Sequence, residues 1–330
     1  MDWNLILTSV FSAIFIKETI FYVLGAQGLN IHYGYTGLMN FGQAGFMAVG
    51  AYGMAISVES GGLSLWLGIV VGILWAVVLA LLLGLPALRL RGDYLAIVTI
   101  AAAEIVRLVV RSESMENVSG GNSGINDFAD AFYDLNPWVN GRRYEFGPFS
   151  YSGQDLWVQA VGWGVVLAMV LLTFLLMRSP WGRVLKAIRE NEDAVRSLGK
   201  NVYAYKIQSL VLGGVMGALG GIVLAIGNQS VQPDTFATRT TFICYGALIL
   251  GGAARVWGPV LGGILFYMVF RGLDVMIRQM ERNDVIPESI MSSTQSGVVR
   301  FVFLGAALML LMVFRPQGIL GDRRELAFDG

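Results

Sequence analysis

Hydrophobic residues in this chain come in long unbroken runs, not in strict alternation or narrow stripes. Residues 63–88, 156–177 and 207–231 contain no charged residue. About 20 apolar residues suffice for a helix to cross the hydrocarbon core of a bilayer, so each run predicts a membrane-spanning helix. Residues 94–110 are apolar except for Glu104 and Arg107. Residues 258–270 continue past Arg271, and residues 297–314 carry only Arg300. Residues 5–31 are interrupted by Lys17 and Glu18, residues 41–58 come after a Gly-rich stretch, and residues 240–254 are uncharged but short. The pattern predicts an all-α polytopic membrane protein with about nine transmembrane helices.

Composition points the same way. Of 330 residues, 55% are hydrophobic and only 14% charged, against about a quarter charged in soluble domains. The mean hydropathy is +0.62. The 42 glycines fit membrane helices, where small residues let backbones approach. No polar block is long enough to hold a second, soluble domain. Net charge is zero and the basic residues form no nucleic-acid patch. The single cysteine, Cys244, reads as a small buried apolar residue. The start of the chain has neither a basic flank nor a small-residue cleavage site, so the first hydrophobic segment is expected to stay.

Lys and Arg in the loops set the expected orientation. Residues 178–200 carry Arg178, Arg183, Lys186, Arg189, Arg196 and Lys200; the turn after Leu88 carries Arg89 and Arg91; the tail carries Arg315, Arg323 and Arg324. These segments are expected in the cytoplasm. The loop 111–155 holds three Arg against seven acids and is expected outside. An odd number of spans then puts the N-terminus outside and the C-terminus in the cytoplasm.

Two polar, small-residue breaks divide hydrophobic runs: one from Gly34 to Gly45, the other from Gly227 to Thr238. They predict two inverted half-repeats with broken helices. The halves cover residues 1–110 and 204–321, separated by an external loop (111–155), a linking helix (156–177) and a cytoplasmic loop (178–203). Breaks at matching places of inverted halves mark a transporter's substrate path. The breaks are therefore expected to meet near the bilayer centre, with Asn40, Gly42, Gln43, Gln229 and Thr241 along the path and an apolar wall from Phe41, Phe46, Phe242 and Ile243. The intramembrane charges Lys17, Glu104 and Arg107 are expected to form one network, since a lone charge in lipid is costly. His32 is expected at the inner end of the first span, in a capping or interfacial role.

Residues 183–198 suit one amphipathic surface helix with Val184, Leu185, Ile188, Val195 and Leu198 on its apolar stripe. Asp193-Ala194-Val195, three residues, then Gly199, resembles the coupling loop of ABC importer permeases. Gly28 to Tyr52, Leu88 to Thr99, Ala187 to Ala194, Leu250-Gly-Gly with Gly258-Pro, and Arg315 to Gly321 together resemble the LivM-type branched-chain amino acid permeases, a family that also serves urea and short amides. One departure is Gln43, where many members carry His.

The resemblance implies a permease subunit in a bacterial cell membrane. Its partners would be a LivH-like second permease, two ATP-binding subunits and an external substrate-binding protein. Arg189, Glu192, Asp193, Ala194 and Gly199 would couple to the ATPase. The chain has no P-loop, no metal-spaced His/Cys/carboxylate set and one histidine, so no cofactor, metal or catalytic site is expected. A urea or short-amide permease, and an ion-coupled transporter working alone, are the alternatives. The latter would want carboxylates near the midplane, where only Glu104 comes close.

Overall fold

A computed structural model describes residues 3–88, 92–138, 142–282, 302, 305–306, 309, 314 and 317–321. Most of the span predicted at 297–314, and Arg89, Arg91, Arg315, Arg323 and Arg324, lie outside the described residues. The chain runs through α1 (Trp3–Ser12) and α2 (Lys17–Leu29), which ends in a π turn (Asn30–Tyr35), to α3 (Gln43–Glu59), α4 (Leu65–Ala87) and α5 (Gly92–Arg111). A small cap comes next: a 3-10 turn (Glu113–Met115), α6 (Glu116–Ser119), β1 (Ile125–Asn126), α7 (Asp130–Tyr133) and the hairpin β2 (Arg143–Phe146) and β3 (Phe149–Ser152). Then come α8 (Gly153–Arg178), α9 (Pro180–Glu190), α10 (Glu192–Ser197), α11 (Val202–Asn228), β4 (Ser230–Val231), a 3-10 turn (Pro233–Phe236), α12 (Thr238–Gly251) and α13 (Gly258–Arg282).

Four of these helices are long and apolar enough to cross a membrane: Leu65–Pro86, Gly153–Arg178, Val202–Asn228 and Gly258–Met280. The pair Trp3–Ser12 and Lys17–Tyr35, bent by 46°, makes a fifth if it is one broken span and not a re-entrant loop. Of the about nine spans expected, some of them broken, the described residues hold four, or five if the bent pair is one span. Lys17 and Glu18 do not interrupt one helix but open a second. With 17 and 14 residues, α3 and α12 are short for a full crossing. Asp93, Glu104, Arg107 and Arg111 keep α5 from being apolar enough.

The bundle is built around α11. Its most apolar stretch is 72% buried, while those of α4, α8 and α13 lie between 28% and 39%. Its small residues make this possible: a Cβ on Gly221 would sit 2.0 Å from the Met47 carbonyl oxygen, so only glycine lets α3 lie this close. The buried face of α2 (Ile20, Leu24) packs against α8 and α11 in one apolar cluster with Val166, Val170 and Val223.

The cap is pinned to the end of α11. β1 pairs antiparallel with β4 (Ile125 opposite Val231), the Asp127 amide donates to the Gln229 carbonyl (2.9 Å), and the Tyr133 hydroxyl donates to Ile226 O (3.1 Å). Ser152 and Asp155 form a reciprocal capping box that starts α8. With 26 residues at about 1.5 Å rise, α8 is about 39 Å long, so the cap and α9–α10 lie at opposite ends of the molecule.

Candidate functional site

The first break begins where the π turn ends. Gly37 takes φ +74°, a left-handed conformation that a side chain resists, and the Leu38 amide donates to His32 O (2.8 Å). His32 is completely buried, contrary to its expected interfacial place. Its Nε2 faces the Leu210 carbonyl (3.1 Å) and its Nδ1 faces Asn40 Nδ2 (3.0 Å). A carbonyl can only accept, so the proton sits on Nε2. Nδ1 then accepts from Asn40, and the ring is neutral. Asn40 Nδ2 also reaches Gln43 Oε1 (3.3 Å), and Asn40 Oδ1 accepts from the Gly42 amide (2.9 Å). Gln43 Nε2 donates to Gly213 O (3.1 Å), and the Ala44 amide donates to Thr241 Oγ1 (2.9 Å).

Asn40, Gly42, Gln43 and Thr241 are therefore brought together, but they are buried and turned inward. A carboxamide in a dry interior must spend its hydrogen bonds on the protein. Gln229 is elsewhere: it takes φ +50° at the end of α11 and binds the cap. Phe46 and Ile243 are likewise buried, so neither forms an exposed wall.

The first break touches α12 just past the end of the second, through Ala44 and Thr241, while Val231 and Phe236 of the second pack elsewhere. The first lies at the start of α3, with the Tyr245 hydroxyl donating to Asn40 O (2.9 Å). The second packs near the far end: the Tyr52 hydroxyl reaches Val231 O (3.5 Å), and the Tyr52 and Phe236 rings are 6.3 Å apart. Nine residues of α3 separate Gln43 from Tyr52, about 14 Å at 1.5 Å per residue.

A different face is open. Tyr33, Met39 and Phe242 are 38%, 40% and 51% exposed. The Phe41 ring lies tilted against those of Phe242 (5.7 Å) and Tyr245 (4.7 Å), and the Tyr33 ring lies 5.8 Å from that of Tyr245. One turn before Phe242 on α12, Thr238 reaches Glu104 on α5 (3.4 Å). Arg107 holds Glu104 through Nε (3.1 Å) and Nη2 (2.5 Å), and its Nη1 reaches Asp234 (3.0 Å), which Arg111 also binds (3.1 Å). At the other end, Thr36 to Met39 border a cleft of about 790 Å³ shared with Arg189 and Lys206. The face thus has a charged rim, an aromatic middle and a polar cleft.

Lys17 is not part of the charge network. Its Nζ donates to Gly227 O (2.7 Å), placing a cation on the C-terminal carbonyls of α11, the negative end of that helix. Its place is taken by Asp234 and Arg111. Asp234 lies 127 residues from Arg107, a separation at which periodicity carries no signal.

The surface helix predicted over 183–198 is two helices. Asn191 (φ −155°, ψ 103°) breaks it and its side chain caps α10 through the Ala194 amide (2.9 Å). Leu185, Ile188 and Val195 are buried as predicted, but Leu198 is 79% exposed. Glu192 is paired with Arg196 (3.0 Å) and with Lys206 of α11; Asp193 is paired with Arg196 (3.1 Å). Gly199 takes φ +76° with open space around it. Arg189 is exposed, with Nη1 donating to Gly34 O (2.7 Å).

Long apolar helices around a buried, glycine-lined pillar, with broken elements between them, define a multi-pass membrane permease. The profile of the family described as "Branched-chain amino acid transport system / permease component" matches residues 12–314, and the chain belongs to that family. It is a permease component of an ABC transporter and not itself an enzyme. It is 29% identical to the high-affinity branched-chain amino acid transport system permease protein LivM of Escherichia coli (strain K12), over 92% of this chain and 68% of that protein. The corresponding LivH protein of the same organism is 25% identical, over 96% of this chain and 95% of its own length. Among solved structures, PsaBC from Streptococcus pneumoniae in complex with Fab is similar at TM-score 0.43 and 16% identity, covering 98% of this chain and 95% of that one.

Proposed function

We propose that the chain is one permease half of an importer for branched-chain, aliphatic amino acids, and that the solute moves along the open face formed by the first break, α5 and α12. The observation that carries this reading is the make-up of that face. Phe242, Phe41 and Tyr33 offer apolar and aromatic surface without fixed charge, bounded by the Glu104–Arg107–Asp234 rim and the cleft at Thr36 to Met39. Such a face suits an aliphatic side chain, while urea needs less apolar surface. A free cation finds no counter-charge in its middle. An open half-path also fits a subunit that needs a second permease to complete it, as the likeness to both LivM and LivH proteins supports.

In this reading α9 and α10 dock on the ATP-binding subunits, with Asp193, Ala194, Leu198 and Gly199 available for contact. The cap faces the external binding protein, the N-terminus lies outside and the C-terminus lies in the cytoplasm. Residues 1–330 form one permease domain. α2–α3 and α11–α12 are the cores of its inverted halves, with α8 as the linking helix.

The test is uptake into proteoliposomes holding the chain with its partner permease, two ATP-binding subunits and the binding protein. Leucine, isoleucine and valine should enter only with ATP. Uptake of urea in preference to leucine would move the substrate to short amides. Uptake by this chain alone, driven by an ion gradient, would replace the reading with a secondary transporter.

A further inference from the structure

α9 does more than present a surface at its outer side. Arg189, an exposed residue in its last turn, lies across the π turn Asn30–Tyr35 and donates to Gly34 O near its end. The last carbonyls of a helix have no partner within it, so a guanidinium there is both a hydrogen-bond donor and a favourable charge. The contact is broad. A Cβ on Gly37 would lie 3.3 Å from Arg189 Cγ and 3.5 Å from its Cα, and the Lys186 ammonium sits 5.7 Å from the Tyr35 ring centre. Ile31 and Tyr35 of the π turn share one apolar cluster with Leu185, Ile188 and Val195. The α9–α10 pair thus rests on the π turn.

A π turn is a rare geometry that carries one more residue per hydrogen-bonded loop than an α turn. Here it is held by unusual partners: the Thr36 hydroxyl donates to Ile31 O (2.8 Å) and the Leu38 amide to His32 O (2.8 Å). Tightening it to α geometry shifts Gly37, Leu38 and Met39, which border the cleft, by one residue in register. Tyr33, on the open face, lies within the turn itself.

We propose that Arg189 is the positioning residue that transmits motion of α9–α10 to the π turn, and through it to the open face. Arg189 would act through Gly34 and not by touching the ATPase or the solute. This inference rests on reading α9–α10 as the ATPase dock.

The experiment uses the full transporter in proteoliposomes and reads leucine imported per ATP hydrolysed, together with co-purification of the ATP-binding subunits. Arg189→Gln should leave assembly intact and lower the import ratio about tenfold or more, the scale of a lost charge-assisted hydrogen bond. Arg189→Lys, which can still donate to Gly34 O, should recover most of that ratio. A wild-type ratio in Arg189→Gln overturns the proposal. So does loss of the ATP-binding subunits from Arg189→Gln, which makes the residue a docking or folding element, and so does Arg189→Lys as defective as Arg189→Gln. If the unaltered chain fails to bring down ATP-binding subunits at all, the reading of α9–α10 fails instead.

Discussion

The two breaks look alike in sequence and are held by different physics. In the first, Asn40, Gly42 and Gln43 are fully sealed, and their polar groups find partners on the π turn, α3, α11 and α12 or within the break itself. In the second, Asn228, Gln232 and Asp234 are exposed. Backbone pairing of β4 with the cap and rim ion pairs hold it. A dry break depends on satisfying every donor and acceptor, because an unpartnered buried group keeps its whole desolvation penalty. A wet break has water as its fallback. Substitutions should therefore be severe in the first and mild in the second.

The largest effect is expected at Asn40. Asn40→Ala leaves His32 Nδ1, Gln43 Oε1 and the Gly42 amide without this partner. At about 1–3 kcal/mol for each stranded group, the loss is roughly 3 kcal/mol or more. Thermal unfolding in detergent checks this; an unchanged Tm would break the comparison. Gly42→Trp should likewise fail to fold, because a Cβ there would lie 2.3 Å from the Thr99 carbonyl oxygen.

Lys17 ranks next. Lys17→Met removes the cation from the end of α11, which should lower stability by about 1–2 kcal/mol, the range for a charged hydrogen bond and a helix-terminal charge. The same thermal assay reads it. A loss as large as that of Asn40→Ala would mean that the cap end is as dry as the first break.

Tyr133 gives a pH test of how firmly the cap is seated. Burial, then the nearby Asp155 charge, push its phenol up to about 12, while a hydrogen bond from Gln229 acts the other way. The ordinary value is about 10. The folded state holds the proton more tightly, so this contribution is complete below pH 10. It is lost as pH rises from about 10 to about 12. Tyr133→Phe should flatten the stability curve in that window while leaving the rest of the pH profile in place.

Much of this architecture was legible in the sequence. The charge-free runs correspond to α4, α8 and α11, because nothing but lipid or a helix core accepts such a run. The Glu104–Arg107 pair is a consequence of helical spacing alone. The direction in which polar side chains point was not legible. A Gly-rich polar stretch such as that around Asn40 and Gln43 looks the same in sequence whether it lines a cavity or locks an interior. The break at Asn191 was hidden because the apolar pattern from Leu185 to Val195 runs through it, and only the capping geometry of Asn191 stops the helix. Lys17 was assigned to the wrong partner because its acceptor is a backbone carbonyl, which sequence does not display.

The smallest stability effect is expected at Asp234, and it bears most directly on what the second break is for. Its carboxylate is 67% exposed and bridges Arg107 and Arg111. An exposed ion pair contributes less than about 1 kcal/mol and is weakened by salt. Asp234→Asn should thus barely move Tm at low salt and leave it unmoved at high salt. On the proposed path it should still change uptake, because it removes one charge from the rim of the open face. The expected result is a raised KM for leucine with an unchanged maximal rate. A Tm loss comparable to that of Asn40→Ala would show that the second break is locked like the first. Unchanged KM with unchanged Tm would remove the rim from the path and leave the aromatic stretch from Phe242 to Tyr33 to carry recognition by itself.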